Sequence, residues 1–108
     1  MGLGDLTDRK AVLKAIEEFD DMGREAFLAK YGFGSTRLRI FHEGRYYDSK
    51  AIVGAAHGYQ RRSMKVLWPY EFSGGKGTVV PKLKKLGFTV VTVPGVNNIA
   101  FDDISYDA

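Results

Sequence analysis

The amino-acid sequence predicts a small α+β domain with a short, mostly antiparallel sheet covered by helices. The chain has 108 residues, which is enough for one domain with a single core. Apolar residues recur at helical spacing in the first third and alternate at strand spacing near the middle. The segments follow the order α-α-β-β-α-α-β, which favours a hairpin and a C-terminal strand packed against helices.

The first third of the chain predicts two helices. Thr7 or Asp8 offers a side-chain oxygen that caps the first helix. The apolar face of this helix consists of Val12, Ile16, Phe19 and Met22. Gly23 interrupts the pattern, which resumes over residues 24–31 and ends at Gly32, a favoured residue type after a helix.

The middle of the chain predicts a hairpin followed by a buried helix. Residues 37–40 alternate polar and apolar side chains, Glu43-Gly44 supplies the turn, and Tyr46 lies on the second strand. Asp48 is expected to cap a helix over residues 49–57. The small apolar residues of this helix predict close packing inside the core.

The rest of the chain predicts two loops, a helix and a strand. Residues 58–68 have the composition of an exposed basic loop, and residues 69–77 form a second loop. Thr78 begins a final helix that Gly87 ends, and residues 88–93 form a strand. We expect one domain over residues 1–95, followed by an acidic tail or the start of a linker over 96–108.

The charge of the chain is unevenly distributed. The net charge is +3, yet residues 37–87 carry eleven basic and three acidic side chains, a net of +8. Residues 88–108 carry three aspartates and no basic residue. Such segregation is typical of a surface that binds a polyanion, although a solvated lysine-rich surface has the same composition.

The residue types disfavour several classes of function. The chain has no cysteine, which excludes disulfides and thiolate metal sites, and its two histidines are His42 and His57. No plausible nucleophile–base pair and no cluster with metal-ligand spacing is present, so we expect no catalysis, no metal and no cofactor. No apolar run has the length of a membrane span, and the N-terminus lacks a signal-peptide pattern.

A glycine-rich turn precedes the last predicted helix. Its sequence, Ser73-Gly74-Gly75-Lys76-Gly77-Thr78, lets backbone N–H groups converge at a helix N-terminus, where an anion such as phosphate is favoured. The alternative is a tight turn that only caps the helix. The spacing is not that of a nucleotide-binding P-loop. Lys50 lies near the start of the preceding helix, where a positive charge interacts unfavourably with the helix dipole. A phosphate bound beside Lys50 would add an attraction.

Three segments carry a resemblance to a known family. They are residues 23–34 (GREAFLAKYGFG), residues 47–58 with Tyr47-Asp48-Ser49-Lys50-Ala51-Ile52, and residues 72–88 with Phe72-Ser73-Gly74-Gly75 and Leu86-Gly87-Phe88. Their order and spacing resemble the N-terminal head domain of McrA-type, modification-dependent type IV restriction endonucleases that end in an HNH nuclease. The match covers about residues 8–93.

The resemblance implies a non-catalytic DNA-binding module of a cytoplasmic restriction or phage-defence enzyme. The implied partners are duplex DNA, with or without modification, and nuclease or modification-reading domains. The alternative is a protein-interaction or spacer domain that docks against other domains of a nuclease. Under the DNA-binding hypothesis, phosphate contacts come from Arg37, Arg39, Arg45, Lys50, Arg61, Arg62, Lys65, Ser73, Gly74, Gly75 and Lys76.

Aromatic residues among these basic groups suggest contacts with bases. Tyr46, Tyr59 and Trp68 could stack on flipped or single-stranded bases. For the tyrosines the alternative is packing in the core with the hydroxyl at the surface. The sequence therefore predicts a basic surface with interspersed aromatic side chains.

Overall fold

The computed structural model describes residues 3–60 and 65–94. It confirms the α+β fold, with a three-stranded antiparallel sheet of strand order β2-β1-β3. The helices are α1 (Arg9–Met22), α2 (Arg24–Tyr31), α3 (Ser49–Gln60) and α4 (Val79–Lys85), and the strands are β1 (Leu38–His42), β2 (Arg45–Asp48) and β3 (Thr89–Thr92). Arg61, Arg62 and the acidic segment 96–108 lie outside the described residues.

Local signals set the ends of the first two helices as predicted. The Asp8 side chain accepts a hydrogen bond from the Lys10 N–H at 2.9 Å and caps α1. Gly23, with φ of 90°, separates α1 from α2. Gly32 adopts the left-handed conformation after α2 and donates its N–H to the carbonyls of the last turn. Both glycines stand where other residues would be strained.

One face of the sheet is covered by helices, and the other, which we call the open face, is buried at Arg39 and Asp48 but exposed further along the strands. Ile40 pairs with Tyr47 and Val90, and the Ile40 and Tyr47 side chains are buried against the helices. One residue further along, Phe41 pairs with Tyr46, and these two side chains are 40% and 46% exposed. The alternation of side chains along a strand therefore directs apolar residues into the core and leaves two aromatic rings on the open face.

Helix α3 forms the centre of the core and is longer than the predicted 49–57. Its residues 51–57 are all buried, and it packs mainly against α1. The helix extends to Gln60, whose side-chain oxygen accepts the N–H groups of Thr7 and Asp8 at 2.6 and 2.8 Å. This contact links residues more than fifty positions apart, so local sequence signals did not reveal it.

The segment after α3 differs from the expected exposed loop. Leu67 is only 2% exposed, and its N–H donates to the Gly54 carbonyl at 3.0 Å. Residues 69–71 form a short 3-10 helix inside what was expected to be a second loop. The segment from Lys65 onward is thus attached to α3 instead of extending into solvent.

Asp48, which the sequence predicts as a helix cap, makes a set of buried polar contacts. Its carboxylate is fully buried and accepts two hydrogen bonds from the Arg24 guanidinium, at 2.7 and 3.1 Å. It also accepts the Thr36 N–H at 3.1 Å and lies 3.7 Å from the Arg39 Nε. Asp48 therefore joins α2, β1 and β2 in one buried ionic cluster, because a buried carboxylate needs several charged or N–H partners.

Glu18 of α1 connects three other side chains. Its carboxylate accepts hydrogen bonds from the Lys30 ammonium and from the Tyr31 and Tyr59 hydroxyls, at 2.6 to 2.9 Å. Burial raises the pKa of the Glu18 carboxyl. These hydrogen bonds and the Lys30 charge outweigh burial, so the pKa lies below its ordinary value of 4.5. The ionised carboxylate thus fastens α2 and the end of α3 to α1.

Replacing Glu18 with glutamine is expected to lower the free energy of unfolding at pH 7 by about 1–2 kcal/mol, since charge-assisted hydrogen bonds are lost. The contribution of Glu18 is fully present above its unfolded pKa of 4.5 and disappears as the pH falls through the lower folded value. Urea unfolding at pH 7 and at about pH 3 should therefore give a smaller difference between wild type and Glu18→Gln at the acidic pH. An equal difference at both pH values would contradict the lowered pKa.

Candidate functional site

The glycine-rich turn before α4 forms a closed hydrogen-bonded cap. The N–H groups of Thr78, Val79 and Val80 all donate to the Gly75 carbonyl, at 3.2, 3.1 and 3.3 Å. The Thr78 hydroxyl donates to the Ser73 carbonyl at 2.6 Å. These N–H groups at the start of α4 therefore already have a protein acceptor, which favours the alternative interpretation of a turn that caps the helix. The phosphate contact at this turn stays a prediction.

Lys50 fastens the same loop to α3. Its ammonium donates to the Pro69 carbonyl at 2.8 Å and lies 5.0 Å from the centre of the Phe72 ring. Gly74 packs against the aliphatic part of Lys50 so closely that a Cβ there would lie 2.5 Å from the lysine Cδ. Lys50 is half-buried, so its main contacts are with the protein itself.

Two of the predicted arginines are ion-paired, with different exposure. Arg39 is 5% exposed, and its Nε donates to the Thr36 carbonyl at 2.6 Å and faces Asp48. Arg39 is thus a structural residue that a DNA phosphate cannot reach in this conformation. The side chain of Arg45 is 69% exposed and pairs with Asp20 at 3.2 Å, so it remains accessible at the edge of the sheet.

A basic groove of about 300 Å³ lies between α4 and β3, and we call it the α4–β3 groove. It is lined by Leu38, Lys76, Val80, Lys84, Val90 and Thr92. No carboxylate is among the lining residues in the described part of the chain. The predicted contact Arg37 lies at the same end of the sheet, where its backbone carbonyl accepts the Val93 N–H at 2.7 Å. The groove therefore combines two lysines, Lys76 and Lys84, without a carboxylate among its described lining residues.

Lys84 was not among the DNA-binding residues predicted from the sequence. It lies on α4 one turn after Val80, and both side chains line the groove, whereas Val79 and Leu83 on the neighbouring face are fully buried. The available signal was three lysines in the last turn of one short helix, with the apolar residues at i, i+4 spacing. This pattern indicates which lysines face solvent, but not what lies beside them.

The three aromatic residues predicted to contact bases lie in different places. Tyr46 lines a groove beside α1, and Trp68 lines another beside the 3-10 helix. Tyr59 lies near the end of α3, where burial and the Glu18 hydrogen bond raise the pKa of its hydroxyl to about 12. None of the grooves found among the described residues is lined by more than one of these three side chains. Lys65 lines the groove of Trp68.

His57 is fully buried within α3, and its Nδ1 lies 2.6 Å from the Lys65 carbonyl. Over residues 3–60 and 65–94, no group of three His, Asp or Glu side chains is placed to hold a metal ion. In the same part of the chain, no helix has the length and apolar character needed to cross a membrane.

Comparison with known families gives a match over almost the whole described chain. A profile of the ScoMcrA-like N-terminal head domain matches residues 5–92. The chain belongs to this family. The resemblance to an McrA-type head domain predicted from the sequence is thereby confirmed. None of the curated protein sequences compared with this head domain matches it.

A solved structure supports the same assignment. This head domain is similar to part of the type IV phosphorothioation-dependent restriction endonuclease ScoMcrA, with 35% sequence identity and a TM-score of 0.62. The alignment covers 85% of the present chain and 14% of the endonuclease chain. The head domain thus spans only a small part of the length of that enzyme.

Proposed function

We propose that this head domain is a non-catalytic DNA-binding module of a restriction nuclease, and that it holds duplex phosphates through a basic surface. Its family membership and its similarity to a restriction endonuclease support DNA as the polyanion. The observation that carries the proposal is the α4–β3 groove, whose lysines have no carboxylate among their described groove neighbours. A cytoplasmic defence enzyme is the setting we infer for it.

The arrangement of α4 suits a contact with phosphates. Val79 and Leu83 anchor the helix in the core, while Lys84 lies on the neighbouring face toward the groove. Lys76 lies within the hydrogen-bonded turn, between Gly75 and Thr78, so ordered backbone carries both lysines. Lysines held in this way release counterions from DNA when they contact its phosphates, which favours binding at low salt.

The double variant Lys76→Ala/Lys84→Ala is expected to weaken duplex binding and to flatten its dependence on salt. Each lost phosphate contact should reduce the slope of log affinity against log salt by about 0.9, so the pair should reduce it by about 1.8. The measurement is fluorescence anisotropy of a labelled duplex titrated with the full chain over a series of salt concentrations.

The matched control is Lys10→Ala/Lys14→Ala on α1, which removes the same charge from exposed positions. The control should keep most of the affinity. Equal losses in the two double variants would show that only net charge matters, and the groove would then be rejected as the contact. Absence of duplex binding at low salt would reject the proposed function itself.

The proposal also includes sensing of modified DNA. The related endonuclease is described as phosphorothioation-dependent, and this dependence is a property of that protein. The same titration with plain, phosphorothioated and methylated duplexes of one sequence tests whether the head domain shares it. Equal affinity for all three duplexes would remove modification sensing and leave only phosphate binding.

The open face of the sheet favours a second candidate function. Phe41 and Tyr46 are both exposed, and their ring centres lie 5.0 Å apart. Exposed aromatic pairs are common where protein surfaces dock, so the head domain could act as an interaction or spacer module of a nuclease. This alternative is favoured over DNA binding if the unmodified chain does not bind duplex at low salt.

A further inference from the structure

A second surface, formed by residues 65–71 beside α3, is not used in the proposed phosphate contact. It is an open groove of about 590 Å³ lined by Lys65, Val66, Leu67, Trp68, Tyr70 and Glu71. Tyr70 is 85% exposed and Trp68 is 40% exposed. None of the ring contacts among the described residues involves Tyr70. Trp68 is partly packed, since its ring centre lies 6.4 Å from that of Tyr31. The core does not account for Tyr70, which lines the same groove.

The backbone beneath these rings is held in place. The Leu67 N–H donates to a carbonyl of α3 at 3.0 Å, and the Lys50 ammonium donates to the Pro69 carbonyl at 2.8 Å. The Trp68 N–H donates to the Glu71 carboxylate at 2.9 Å. A ligand that stacks on the rings thus meets a backbone that is already ordered, which lowers the entropy lost on binding.

We propose that Trp68 and Tyr70 stack on an unpaired nucleobase while Lys65 contacts the adjoining phosphate. This inference rests on the proposed function, since it assumes that the polyanion is DNA, and it names DNA with a single-stranded or extrahelical base as the preferred form. Aromatic rings beside a cationic side chain are the recurrent basis of binding to unpaired nucleic acid. Glu71 is the acidic residue of the groove, and one of its oxygens is engaged by the Trp68 backbone.

The single tryptophan of the chain provides a direct reporter of this groove. Because Trp68 is the only tryptophan, its emission reports on the site without mutation. The full chain is titrated with a short oligothymidylate, with a fully paired duplex, and with the same duplex carrying one bulged thymine. Binding to the first and third is followed by Trp68 emission, and binding to all three by anisotropy. We expect quenching of Trp68 by the DNAs that contain unpaired bases.

Tyr70→Ala is expected to weaken binding of the oligothymidylate by about 5- to 150-fold and to leave the paired duplex unchanged. Tyr70→Phe should restore most of the affinity because the ring remains. The matched control is Phe41→Ala, which removes an exposed aromatic ring from β1.

The outcomes separate this inference from the proposed function. Duplex binding that depends on the α4–β3 groove, with Trp68 emission unchanged by unpaired bases, would overturn the stacking inference and leave the phosphate contact intact. Loss of oligothymidylate binding in Phe41→Ala as large as in Tyr70→Ala would also overturn it. A change in Trp68 emission with protein concentration alone would identify the groove as a contact between copies of the chain and overturn base stacking.

Discussion

Replacing Asp48 with alanine is expected to lower the free energy of unfolding by about 3–5 kcal/mol, because it leaves buried positive charge without its partner. Arg24 makes a two-pronged contact with this carboxylate, and Arg39 lies 3.7 Å from it while being almost fully buried. The Thr36 N–H would also lose its acceptor. For a domain of this size, such a loss is a large part of the total stability. Urea unfolding followed by Trp68 fluorescence measures it.

The control for this experiment is Asp21→Ala, which removes an exposed aspartate from α1. Surface substitutions of this kind usually change stability by about 0.5 kcal/mol or less. If Asp48→Ala unfolds at the same urea concentration as the control, the buried ionic cluster contributes nothing and its proposed role in joining α2 to the hairpin is wrong.

Gly54→Ala is expected to destabilise the domain by about 1–3 kcal/mol, although alanine is normally favoured over glycine in a helix by about 1 kcal/mol. A Cβ at this position would lie 2.5 Å from the Leu67 carbonyl oxygen and 2.7 Å from the Phe33 ring. The oxygen belongs to the backbone and its residue is buried, so it cannot move away without loosening the whole segment after α3. Thermal or urea unfolding of the variant shows directly whether it is less or more stable than the wild type.

Gly34→Ala is the matched substitution for this test. A Cβ at Gly34 would have no atom within 4 Å, and its backbone does not adopt a positive φ. It should therefore be neutral or stabilising by up to about 1 kcal/mol. Stabilisation by Gly54→Ala would show that α3 and the segment after it are less closely packed than in the structure.

Much of the fold could be predicted because it depends on neighbouring residues. The cap at Asp8, the breaks at Gly23 and Gly32 and the turn at Glu43-Gly44 each act within a few positions of the chain. Such signals are visible in a single sequence, and the hairpin and helix order followed from them. The length of α3 was underestimated because its last turn is held by a side-chain contact with the beginning of the chain.

The environments of the predicted binding residues could not be derived from the sequence, since a charged residue in the sequence does not reveal its partner in the fold. Arg39 and Lys50 have the same formal charge as Lys76, yet the first is almost fully buried beside Asp48 and the second holds the Pro69 carbonyl. Conversely, Lys84 and Tyr70 were not selected, because their significance depends on the neighbours that the fold provides.

The sequence alone determined the class of fold, the family resemblance and the concentration of positive charge between residues 37 and 87. The tertiary structure decided which of those charges face solvent and which lie together. It bonded the N–H groups at the start of α4 to the Gly75 carbonyl and left Lys76 and Lys84 in a groove without a carboxylate among its described lining residues. The physical reason is that helix periodicity and capping act over a few residues, whereas desolvation and ion pairing depend on contacts between distant parts of the chain.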